Sequence, residues 1–195
     1  MAVFRIELPI ENRGVLKEMR VGDTVYITGT VVTLRDLGHR RAVEMLKRGE
    51  KLPVDLRGLA VFHAGPIVRR VGEEWKIVSI GPTTSARMDI YVYDLVKLSG
   101  VALIVGKGGM GVNARRACRE FGAVYVELVG GTAPLITKAI RGVEAVYWLD
   151  LGVPEAMWVL RVENLGPAIV TIDTEGRDLH EEVMSRAYEV VKSLV

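Results

Sequence analysis

From Trp75 to Leu149 the chain alternates short apolar runs with amphipathic stretches, and this rhythm restricts the fold more than any other feature. VALIVG, ending at Gly106, is a continuous apolar run, as expected of a strand buried on both faces. TTSARMDIYVYDLVKLSG carries Met88, Tyr91, Leu95 and Leu98 on one face of a helix. NARRACREFG sets Ala114, Ala117, Cys118 and Phe121 on one side, with Gly122 as a C-terminal stop. AVYVELV then reads as a strand, APLITKAIRG as a helix and VEAVYWLDL as a strand. Strand–loop–helix repetition of this kind predicts a parallel or mostly parallel sheet.

The flanking regions are less regular. FRIEL, DTVYITGTVV (Asp23 to Val32), LRGLAVFHAGP and EEWKIVSIGP read as strands, the last two ending in Gly-Pro. NRGVLKEM reads as a short helix and RDLGHRRAVEMLKRG as a longer one stopped by Gly49. MWVLRVENLGPAIVTIDTEG looks like a hairpin, and DLHEEVMSRAYEVVKSL like a closing helix. The β-rich first third and the late hairpin predict a second, smaller sheet. The expected whole is one layered α/β domain over residues 1–195, not a simple doubly wound one.

Composition narrows the function classes. With 49% hydrophobic and 26% charged residues the chain is globular, and a net charge of +2 is too small to suggest a nucleic-acid or membrane surface. No run reaches membrane-spanning length and the first residues lack a signal-peptide layout, so a cytoplasmic location is expected. Cys118 is the only cysteine, which excludes an internal disulfide and any cluster held by several thiolates of this chain alone. Its position on an apolar helix face suits a core residue better than a nucleophile.

In a parallel sheet the loops GPTTSAR, GKGGMG and VGGTAP would emerge on one rim, each offering N–H groups at a helix start. With a helix beginning near Thr83, Thr83 and Thr84 lie four and three residues before Arg87, on one side of the first turn. An arginine there opposes the helix dipole unless a negative partner offsets it. The hydroxyls are explained either by helix capping or by a bound anion. Lys107 in GKGGMG suits a carboxylate or phosphate as a point charge, or is a solvated lysine in a tight turn. The loop fits G-x-G-x-x-G by letter but has no Walker spacing, and its acidic residue downstream, Glu127, falls inside a strand. In the charge run TLRDLGHRR, Arg40 and Arg41 suit a solvated face and His39 is either structural or catalytic. His63 suits a hydrogen-bonded core position and His180 the surface. The rim is rich in cations and hydroxyls, but no carboxylate pair, metal cluster or nucleophile–His–Asp set accompanies it. Half of an active site is missing.

The ordered set GDTVYITGTVVTLRDLGHRR, HAGP, GPTTSARMD, GKGGMG and VGGTAPLITKAIRGVEAVYWLDLGVPEAMWVLRVENLGPAIVTIDTEG resembles the β subunit, or C-terminal domain, of class I iron–sulfur fumarases, with L-tartrate dehydratase β subunits as near relatives. The resemblance covers nearly the whole chain. It implies a swivelling β/β/α domain that closes over an α subunit carrying a [4Fe–4S] cluster, in a hetero-oligomer that hydrates fumarate to (S)-malate. It further implies that Arg35 and Arg87 bind substrate carboxylates, that Lys107 adds a charge and Thr84 a hydrogen bond, and that Thr83 carries the proton at C3. Leu34 stands where relatives often have alanine. Two alternatives stay open: a tartrate dehydratase subunit, and a non-catalytic module that binds a nucleotide in its glycine loops.

Overall fold

The computed structural model describes residues 1–194. Among these residues nine strands are formed: β1 Val3–Glu7, β2 Thr24–Thr33, β3 Ala60–Phe62, β4 Ile67–Val71, β5 Glu74–Ser79, β6 Leu103–Gly106, β7 Val124–Glu127, β8 Ile140–Tyr147 and β9 Met157–Ile172. The helices are α1 Gly14–Glu18, α2 Asp36–Lys47, α3 Asp89–Ser99, α4 Val112–Phe121, α5 Ala133–Thr137 and α6 Leu179–Leu194.

The expected parallel arrangement holds for β1, β2, β3, β6 and β7, which pair in that order. β3 and β6 are buried throughout, in keeping with their uninterrupted apolar sequences. α2, α3 and α4 pack in series against one another, and Ala114, Ala117 and Cys118 of α4 are fully buried. Burial also pushes the Cys118 thiol far up, so it stays an inert core thiol.

Four expectations about the sheet need correction. The β-rich first third does not form a separate sheet; β1, β2 and β3 belong to the main one. The segment around Asn164 is no hairpin either. β9 runs 16 residues without reversing, and its turn-like residues, including Asn164 at φ 51°, coincide with bulges in its pairing to β2. Each bulge adds a residue on β9 and bends it, which lets one strand follow a curved neighbour. Along one edge β9 pairs antiparallel with β2; along the other it meets β8 first and β7 afterwards. The pairing of β9 with both β2 and β7 closes β2, β3, β6, β7 and β9 into a five-stranded barrel-like ring, in place of the expected layered β/β/α arrangement around a mostly parallel sheet. Finally, β5 lies outside this ring. It pairs antiparallel with β4 as a two-stranded ribbon, and this ribbon is the smaller sheet.

Candidate functional site

Because β5 leaves the ring, GPTTSAR reaches the rim by a different route from the one its position in the alternation suggests. Ala64 bridges Pro82 and Thr84 bridges Lys107, so Pro82 to Thr84 lies across the carboxyl ends of β3 and β6. A 3-10 turn over Ser85–Met88 then leads into α3. VGGTAP lies alongside, with Gly81 against Ala133 and Gly130 against the Lys107 side chain. The three loops do share one rim.

The five candidate residues are brought together on it. Arg35 is the residue just before α2, and its guanidinium lies 3.4 Å from Glu155. Its stem runs past Gly65 of HAGP, where a Cβ would sit 2.8 Å from Arg35 Cδ and 2.3 Å from the Pro154 carbonyl. Only glycine leaves that passage open. Arg87 grips Asp36 with two hydrogen bonds, Nε to Oδ1 and Nη2 to Oδ2, both 3.0 Å. The same Nη2 donates to Thr83 Oγ1 at 3.2 Å. Thr84 and Lys107 are neighbours on adjacent strands of backbone. A continuous path thus runs from Arg35 through Asp36, Arg87, Thr83 and Thr84 to Lys107.

None of the three hydroxyls caps a helix. Neither Thr84, preceding the 3-10 turn, nor Met88, preceding α3, makes a capping side-chain bond, while Thr83 and Ser85 are engaged elsewhere. The capping explanation falls away. The negative partner that Arg87 requires is present within the chain as Asp36, whose hydrogen bonds from Arg87 hold its carboxyl below the usual range. Asp36 and Glu155 are the site-adjacent residues that sequence reasoning missed. Asp36 was legible only as part of a charge run, and Glu155 is 120 positions from the arginine it faces.

The helix start after GKGGMG is not open to an anion. Asp89 fills it: its carboxylate accepts N–H bonds from Gly111 at 2.9 Å, Ala114 at 3.0 Å and Asn113 at 3.3 Å. Glu127 accepts from the Gly108 N–H at 3.1 Å and pairs with His180 at 2.6 Å. Both groups that a dinucleotide would need are committed to the protein itself, which removes the structural basis for the nucleotide alternative. A groove of about 670 Å³ between β5 and β8, lined by Trp75, Ile77, Thr137, Arg141 and others, includes none of the five candidates. Of the five, Lys107 alone also lines a smaller hollow of about 330 Å³, beside Glu127, Gly130 and His180.

Beneath the rim lie two fully buried histidines, His39 and His63, edge-on at 4.9 Å between ring centroids. Burial depresses both; His39 is lowered to about 4, and His63 falls well below its ordinary value, with the neighbouring His39 contributing. Each is therefore neutral in the folded chain near pH 7. Unfolding returns them to water, where protonation sets in near pH 6.5. Between there and pH 4 the unfolded chain binds more protons than the folded one, so stability present above pH 6.5 is lost as pH falls. His39 alone accounts for about 3 kcal/mol of that loss at pH 4. Denaturant unfolding from pH 7 to 4 should accordingly show a shallower loss in His39→Asn, which keeps a donor near the Nδ1 position but cannot titrate. Identical slopes would contradict the assignment.

Residues 2–183 match the family described as Fumarase C-terminus. The chain is 49% identical over 167 residues to the L(+)-tartrate dehydratase subunit beta of Escherichia coli (strain K12), spanning 86% of this chain and 82% of that one. It is 45% identical to the "Putative L(+)-tartrate dehydratase subunit beta" of Methanocaldococcus jannaschii, over 92% of this chain and 93% of the other. A "Putative fumarate hydratase class I" of Geobacillus stearothermophilus is 37% identical over 96% of this chain, which corresponds to 35% of that longer protein.

Proposed function

The chain belongs to the Fumarase C-terminus family, and from this premise we propose that it is the β-type subunit of a two-subunit iron–sulfur hydro-lyase that reversibly hydrates fumarate to (S)-malate. The observation that carries the reading is the convergence of Arg35, Thr83, Thr84, Arg87 and Lys107 on one open rim.

In this reading Arg35 and Arg87 grip the two substrate carboxylates through charge-assisted hydrogen bonds, with Lys107 adding a point charge. Thr84 offers its hydroxyl to the substrate. Thr83 moves the proton at C3. A threonine hydroxyl is a weak base, but the Arg87 Nη2–H aimed at Thr83 Oγ1 favours its deprotonated form. An acidic group of the partner subunit takes the Thr83 proton. The residues here do not fit an iron–sulfur cluster: the one thiol is buried and neutral, and among the described residues no group of three or more His, Cys, Asp or Glu is disposed to hold a metal. We therefore assign the [4Fe–4S] cluster to the α partner, where it would supply the Lewis-acid chemistry at the substrate hydroxyl.

The second reading, L(+)-tartrate as substrate, is favoured by the names of the two relatives at 49% and 45% identity. One experiment separates the two. The chain is assembled anaerobically with its α partner, iron and sulfide, and the cluster is verified by its visible absorbance. Fumarate formation from (S)-malate is then followed beside oxaloacetate formation from L-tartrate. Turnover of malate is expected; turnover of tartrate alone transfers the assignment to the second reading, and no turnover of either acid with the cluster intact rejects both.

A further inference from the structure

The rim residues are held from below by a buried polar chain that the catalytic reading leaves unused. We propose that His63 and Ser85 are positioning residues: together they lock the backbone that carries Thr83, Thr84 and Lys107 into the geometry the substrate meets. This rests on the dicarboxylate reading above.

His63 holds the GPTTS segment at two points, one on each side of Thr84. Its carbonyl accepts the Thr83 N–H at 2.7 Å, and its Nδ1 lies 2.9 Å from Ser85 Oγ. Ser85 passes the restraint on. Its Oγ accepts the Lys107 N–H at 3.0 Å, and its own N–H donates to the Lys107 carbonyl at 3.0 Å. One fully buried hydroxyl therefore ties β3, the threonine segment and the lysine loop together. Gly106 makes room for it: a Cβ there would sit 1.9 Å from Ser85 Oγ and 3.1 Å from His63 Nδ1. On the other side His39 packs against His63, and its Nδ1 donates to the Arg35 carbonyl at 2.9 Å. That carbonyl can only accept, so the proton is on Nδ1.

The energetics argue against a filling role alone. Nε2 of both histidines is buried with no hydrogen-bond partner, a cost an apolar residue of similar size would not incur. What an apolar residue cannot do is hold Ser85. A site displaced by about 1 Å through the loss of such support loses about a hundredfold in rate.

The test uses the assembled enzyme and the full chain. Ser85→Ala and His63→Leu should each lower kcat by about a hundredfold with KM changed less than about threefold. His63→Asn, whose amide reaches the Nδ1 position, should restore kcat to within about tenfold of the parent. Val96→Ala, in the buried face of α3 towards its far end, serves as a control for lost stability and should leave kcat unchanged. In the full chain without its partner, Ser85→Ala should speed amide exchange at Thr83 and Lys107 by about tenfold or more. Losses of kcat no larger than that of Val96→Ala, or unaltered exchange at both amides, would overturn the proposal. Loosened amides in a chain whose parent assembly turns over neither acid would uphold the clamp and sink the substrate reading alone.

Discussion

Thr83→Val is expected to leave the assembled enzyme intact while kcat falls by about three orders of magnitude and KM moves by less than about threefold. Valine fills nearly the same volume, and the backbone N–H of residue 83 keeps its bond to the His63 carbonyl, so the segment stays where it is. What disappears is the hydroxyl facing Arg87 Nη2. If that oxygen handles the C3 proton, the loss falls on the step in which the proton moves and spares the ground state. Steady-state kinetics with (S)-malate decide the matter. Equal losses in kcat and in binding would reduce Thr83 to a positioning group.

Arg87→Ala should lower kcat/KM by two to three orders of magnitude, about 3–4 kcal/mol once the partner covers the rim and excludes water. Two effects combine in that number. A carboxylate of the substrate loses a charged donor, the Arg87 edge not engaged by Asp36, and Asp36 loses the guanidinium that neutralises it, leaving a negative charge directed at a dianion. The double variant Arg87→Ala, Asp36→Asn separates them, because it removes the stray charge without restoring the grip. Partial recovery is expected, with kcat/KM still at least tenfold below the parent. Full recovery would mean that Arg87 serves only to neutralise Asp36.

Local pattern carried much of this molecule. The apolar run of β6 and the one-sided face of α4 are short-range signals, and both elements lie where their pattern puts them; α3 exists too, but it begins at Asp89 rather than near Thr83, and it buries Val92, Leu95 and Val96 while Leu98 is exposed. The five candidate site residues came from motifs, and they converge. Long-range pairing was the part that stayed hidden. Nothing in EEWKIVS distinguishes a strand inside the ring from one in a ribbon beside it, because β5 alternates half-buried and exposed residues as either would. The bulges of β9 imitate turn chemistry, since a left-handed Asn164 with Gly166-Pro167 just beyond it serves both purposes. Ion pairing was equally hidden: a free guanidinium and one already holding Asp36 have the same sequence. For the same reason Asp89 could not be recognised as the group that fills the start of α4, 22 residues downstream.

The ring of strands is completed by its last member, and this dictates an order of assembly. β2 finds β3 and β1 within a few dozen residues of itself, but the contact that shuts the ring joins Thr24 to Ile169 and Val32 to Val159. Until the ribosome has released that distant stretch, the open borders of β2 and β7 are both bare rows of backbone donors and acceptors. A nascent or truncated polypeptide ending before Met157 is thus a template for pairing with its neighbours, and in the finished one β9 covers both of those borders.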